Sequence, residues 1–124
     1  MSESLVYKKA FHFSIDIVNF YKTLLKDKKE YILSKQLLRC GTSVGANIKE
    51  ALDAQSKPDF LSKMNIALKE ASEVEYWLDL LKSIDYLDEK LYRDLMSQCI
   101  ELNRMLSAIV KTVKCQVKQI KDFS

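Results

Sequence analysis

Few residues in this chain have types and spacings that could do chemistry. His12 is the single histidine, and Lys9 rather than a glutamate stands three positions before it. A di-metal bundle needs inward-facing Glu-x-x-His pairs, so its ligand set is missing. A hydrolytic triad also draws on a histidine in most variants. On a helix His12 shares a side with Asp16, Asn19 and Thr23, away from the apolar residues of the segment, and reads as a surface side chain. Glu70, Glu73, Glu75 and Asp79 are carboxylates at helical spacing, and their simplest reading is a solvated acidic face, because carboxylates are seldom buried unpaired. Gly41-Thr42-Ser43-Val44-Gly45-Ala46-Asn47 has the look of a phosphate loop, but no Lys-Ser/Thr follows its second glycine and no strand precedes its first. Cys40, Cys99 and Cys115 are odd in number, with no CxxC pair, and fit reduced thiols, with Cys40 and Cys99 as small core residues. No nucleophile–base pair, metal set or cofactor motif emerges, and the expectation is a protein that is not an enzyme and carries no cofactor.

The elements that must position these residues are helical. The 124 residues include only 2 Gly and 1 Pro, with 30% charged side chains, a composition poor in turn chemistry and right in length for one domain, 1–124. Four segments show helical apolar periodicity, at about 5–26, 31–55, 58–83 and 89–121. In the first, Tyr7, Phe11, Val18, Tyr21 and Leu25 form one apolar stripe and Phe13, Ile17, Phe20 and Leu24 a second, an apolar arc of about 180° that exceeds one core contact. The second segment turns Leu33, Leu37, Gly41, Val44, Ile48 and Ala51 inward. Each of its glycines costs about 1 kcal/mol relative to Ala in a helix, so Gly41 and Gly45 predict close approach of a neighbouring helix. Ser56-Lys57-Pro58-Asp59 opens the third segment and Asp88 caps the fourth, whose last two turns are expected to overhang. Short connections between amphipathic helices predict an all-α, antiparallel up-and-down four-helix bundle. No run approaches the ~18 apolar residues of a membrane span and no signal-peptide pattern opens the chain, so a soluble cytoplasmic protein without membrane contact is expected.

Charge is segregated along the chain: net +3 over residues 1–53, −4 over 54–103 and +4 over 104–124. Two polar stripes face away from the core. Arg39, Ser43, Asn47 and Glu50 fall within about 80° of one another on the second helix. Arg104, Lys111, Lys114, Lys118 and Lys121 share about 100° of the fourth. Cations at a helix C-terminus favour its dipole, so the second stripe reads either as a stabilising feature or as a surface for phosphate or an acidic partner.

In the second segment the residues become specific. The run Leu38-Arg39-Cys40-Gly41-Thr42-Ser43-Val44-Gly45-Ala46-Asn47-Ile48-Lys49-Glu50-Ala51 resembles the signature of bacterial four-helix-bundle proteins called 23S ribosomal RNA intervening sequence proteins. The likeness extends through Phe60-Leu61, Ile66-Ala67-Leu68, Glu73-Val74-Glu75, Tyr86-Leu87 and Met105-Leu106. Gly45 stands where many members have Pro. Members are similar in fold to the accessory proteins of diversity-generating retroelements, strongly basic pentameric barrels that associate with a reverse transcriptase and nucleic acid. The resemblance therefore implies a homo-oligomer, a pentamer by analogy. It makes Arg39, Ser43, Asn47 and Glu50, with Glu73 and Glu75, motif and subunit-contact positions.

Two functions follow as expectations. In one, a basic surface formed by Arg104, Lys111, Lys114, Lys118 and Lys121 together with Lys22, Lys26 and Lys29 contacts RNA or DNA backbone, without sequence preference and sensitively to salt. In the other the bundle is a protein-interaction scaffold that binds no nucleic acid, with the Arg39 stripe and the acidic third helix as contacts between copies.

Overall fold

The computed structural model describes residues 4–123. They form α1 (Leu5–Asp27), α2 (Leu33–Leu52), α3 (Lys57–Ser83) and α4 (Glu89–Phe123), with no strand among the described residues. Each helix packs on its neighbours in sequence and α1 closes the circle against α4, the thinnest of the four seams. This is the expected antiparallel up-and-down bundle.

Local chemistry sets the helix ends. Ser4 Oγ accepts the Tyr7 N–H (3.2 Å) at the start of α1 and Ser56 Oγ the Asp59 N–H (3.2 Å) at the start of α3. Asp88 Oδ1 accepts from Leu91 (2.8 Å) ahead of α4. Each satisfies a donor that the first helical turn leaves unpaired. The cap of α2 is Glu30, whose carboxylate receives the N–H groups of Ile32, Leu33 and Ser34 at 3.2, 3.0 and 2.7 Å. That cap holds residues 31 and 32 outside the helix, and Asp53 ends α2 before the chain turns toward Ser56, so α2 is shorter than the expected 31–55. The C-terminal ends of α1 and α3 share one device. Lys29 and Asp85 take positive φ (49° and 63°), and the Glu30 N–H reaches back to Leu24 O (3.2 Å) as the Tyr86 N–H does to Leu81 O (2.9 Å). The second closes six residues and the first seven, each through a position of the kind that glycine usually serves.

One core runs the length of the bundle, and α1 contributes Val6, Ala10, Phe13, Ile17, Phe20 and Leu24 to it. Of the two stripes on α1, the one through Phe13 is thus the inner one. The stripe through Tyr7 lies outside, with Phe11 55% exposed. On α2 both glycines are buried against α1, but only one is compelled. A Cβ on Gly41 would sit 2.8 Å from Ile17 Cγ2, inside any real contact, whereas one on Gly45 would meet nothing nearer than Ser14 Oγ at 3.4 Å. Cys40 and Cys99 are buried as expected and Cys115 is exposed. Burial pushes the Cys40 and Cys99 thiols up to about 12, which leaves them unreactive at neutral pH.

Candidate functional site

The Arg39 stripe occupies the edge of α2 beside α3, and its residues have partners within the chain. Arg39 Nη1 is 3.1 Å from Glu70 Oε2 and its Nη2 bonds Glu73. Glu73 also accepts from Trp77 Nε1 at 3.0 Å. The Trp77 hydrogen bond first, and the Arg39 contact after it, hold the Glu73 carboxyl below the usual range. Asn47 Nδ2 donates to Ser43 O and Ser43 Oγ, both at 2.9 Å, and Glu50 meets Lys63 at 3.4 Å. The stripe is a polar lace between α2 and α3.

Glu75 belongs to a different face. Two residues apart on a helix means about 200° of rotation, so Glu75 looks toward α4 while Glu73 looks toward α2. It accepts from Asn103 Nδ2, and Asp79 Oδ1 accepts from Tyr92 Oη at 2.6 Å. The Asp79 bond, more than burial, raises the Tyr92 phenol above its ordinary value. Glu70, Glu73, Glu75 and Asp79 are therefore not one solvated acidic face. They are acceptors shared between two seams, each engaged because a long donor on the neighbouring helix lies within reach. The i, i+3, i+7 run Glu70, Glu73, Trp77 opposite Arg39 was the signal for the α2 side; nothing local marked Tyr92 and Asn103.

The cations divide as well. Antiparallel packing puts the end of α1 beside the end of α3 and the start of α4, where Lys28 lies 5.9 Å from the centre of the Tyr86 ring. The last turns of α4 lie at the other end, where Lys57 Nζ meets Gln116 Oε1 at 3.1 Å. Lys22, Lys26 and Lys29 are thus a helix bundle's length away from Lys111, Lys114, Lys118 and Lys121, and the single basic surface expected from the sequence does not form within one chain. No ion pair ties Lys111, Lys114 or Lys118 to a carboxylate among the described residues. From Lys118 to Lys121 every residue is exposed, the overhang expected of α4.

His12 is a surface residue, 3.4 Å from Asp16 Oδ2. Among the described residues no group of three or more His, Cys, Asp or Glu is placed to hold a metal ion, and no helix is long and apolar enough to cross a membrane.

The geometry is that of an up-and-down four-helix bundle with a half-exposed polar stripe on α2 and acids distributed over both edges of α3. Residues 2–108 match the model of the 23S rRNA-intervening sequence proteins, and the chain belongs to that family. Its backbone is similar to the crystal structure of an S23 ribosomal protein family member from Bacteroides thetaiotaomicron, itself described as having unknown function. The two share 48% sequence identity and a TM-score of 0.85, over 86% of this chain and 99% of that one. No curated protein matches the chain.

Proposed function

We propose that the protein is a non-catalytic scaffold that assembles with copies of itself through the outer stripe of α1, the family likeness making a ring of five the expected form. One observation carries this reading. Phe11 and Ile15 are 55% and 47% exposed, and half-buried Tyr7, Val18, Tyr21 and Leu25 continue the same side of the helix. Tyr7 and Phe11 stack at 6.2 Å. A contiguous apolar strip on a soluble helix is a mark of an interface, and covering the open part of each large side chain contributes on the order of 1 kcal/mol. The Arg39–Glu70–Glu73 lace supports it by fixing α2 against α3, which keeps the body rigid enough to pack repeatedly. Light scattering on the intact protein at micromolar concentration tests it: a mass several times that of one chain is expected, and a monomer sinks the reading.

A second reading, contact with RNA or DNA backbone, is favoured by Lys111, Lys114 and Lys118 on α4, which no ion pair engages among the described residues. It predicts retention of any duplex at ~50 mM salt and steep loss by ~200 mM through counterion release. Absence of retention at the lower salt removes it.

A further inference from the structure

The family match ends at residue 108, yet α4 continues to Phe123 as one helix. Along the shared part, the seam between α3 and α4 is closed by side chains. Lys82 meets Glu89 (3.3 Å), Tyr92 meets Asp79, Cys99 Sγ lies 3.2 Å from Ala71 O, and Asn103 meets Glu75. Past residue 108 Lys57 and Gln116 bridge it. What lies there is a groove with Leu61, Cys115 and Val117 as floor and Lys111, Lys114 and Lys118 as rim. It continues along α3 past Pro58, Ser62 and Ile66, a run of about 12 Å or two helical turns.

We propose that this groove docks an acidic amphipathic helix of a partner protein. The proposal names the partner of the scaffold reading above and rests on it. The floor is apolar, so an occupant that buries it must present an apolar stripe. The rim is cationic and, among the described residues, no carboxylate lines the groove, so the flanks of that occupant must be acidic. Apolar anchors at i, i+4 and i+7 on a helix match a groove two turns long, and the lysines, whose methylene stems widen the apolar floor, steer and orient it. A second copy of the same arm is disfavoured, since residues 104–124 carry five basic groups and one acid and two such arms repel. Nucleic acid would use only the rim: among the described residues no aromatic side chain lines the groove to stack a base, and Leu61 and Val117 would stay uncovered.

The probe is a designed 18-residue helical peptide with leucines at those spacings flanked by glutamates, added to the full-length protein. Cys115 is the one exposed thiol among the three, so its alkylation rate reports occupancy of the groove, and anisotropy of a dye on the peptide reports affinity. Peptide at saturation is expected to slow alkylation of Cys115 at least about fivefold, and Lys114→Glu or Leu61→Asp to weaken binding about tenfold. Lys114 is exposed, so its variant tests the rim even where Leu61→Asp disturbs the end of the bundle. Three results overturn the proposal: no protection by the peptide; equal protection by polyglutamate, which has no apolar face; or protection by duplex DNA where the peptide gives none, which would assign the arm to nucleic acid. Sedimentation of the same samples separates the two readings. An oligomer without protection sinks the groove alone, and a monomer that still binds the peptide sinks the assembly.

Discussion

The two halves of the α3–α4 seam are built from the same pair of helices and differ in what crosses them. In the half nearer the α3–α4 connection, donors on α4 reach acids on α3, and Leu78, Leu81, Leu95, Cys99 and Leu102 fill the space beneath. The other half runs past the start of α1, the crossing bond there is Lys57–Gln116, and Ile109 and Val113 are only partly buried. The first half has the partners a helix needs to be fixed in place. The second has the shape of a helix prepared to receive one, and it falls where the family match stops.

Truncating a core side chain on each side of that divide should give the largest contrast. Leu95→Ala, at a fully buried site, is expected to cost about 2–5 kcal/mol, and Val113→Ala less than about 1 kcal/mol, because a half-open site loses less burial and can collapse. Urea unfolding measures both, and equal losses would mean that the arm is as tightly packed as the body. The glycine pair sharpens the same point on α2. Gly41→Ala drives a Cβ to 2.8 Å from the branched, buried Ile17 and should destabilise by about 1–3 kcal/mol despite its gain in helix propensity. Gly45→Ala should be neutral or stabilise by up to about 1 kcal/mol.

Acid should act on the body and not on the arm. Burial pushes the Glu30 carboxyl up, but the N–H groups of Leu33, Ser34 and Ile32 outweigh it and hold it below its ordinary value of 4.5; Glu73 is likewise held low. A depressed carboxylate stabilises fully above its unfolded value and loses that contribution as pH falls through the folded one. Stability is therefore expected to hold down to about pH 5 and to fall below it, and Glu30→Gln should flatten the fall while costing about 1 kcal/mol at pH 7, the usual scale of a lost cap. Melting temperature against pH reads both. A double-mutant cycle on Arg39 and Glu73 should return a coupling of about 0.5–1 kcal/mol, modest because both groups are partly solvated. Smallest of all, Lys29→Gly should stabilise by roughly 0.5 kcal/mol, since φ of 49° costs a side chain but not glycine.

The bundle and its connections were readable because apolar spacing and capping residues are local: Ser56, Pro58 and Asp88 mark helix starts wherever they occur. Periodicity also showed that α1 has two apolar stripes. It could not rank them, because a stripe is inner or outer only relative to helices that pack on it, and here the Phe13 stripe took the core. The acids of α3 depart from a plain solvated face for the same reason. Their partners Arg39, Tyr92 and Asn103 lie 13 to 34 residues away in sequence, and nothing within α3 announces them. The cations of α1 and α4 share a sign and a helical register, and only the antiparallel path shows that they sit at opposite ends.

Sedimentation velocity of the intact protein beside Phe11→Glu and Lys114→Glu tests the account most directly, because it asks whether assembly belongs to the body and docking to the arm. Oligomers are expected for the wild-type protein and Lys114→Glu, and a folded monomer for Phe11→Glu. A monomeric wild type, or an oligomer lost with Lys114→Glu and kept with Phe11→Glu, would contradict it.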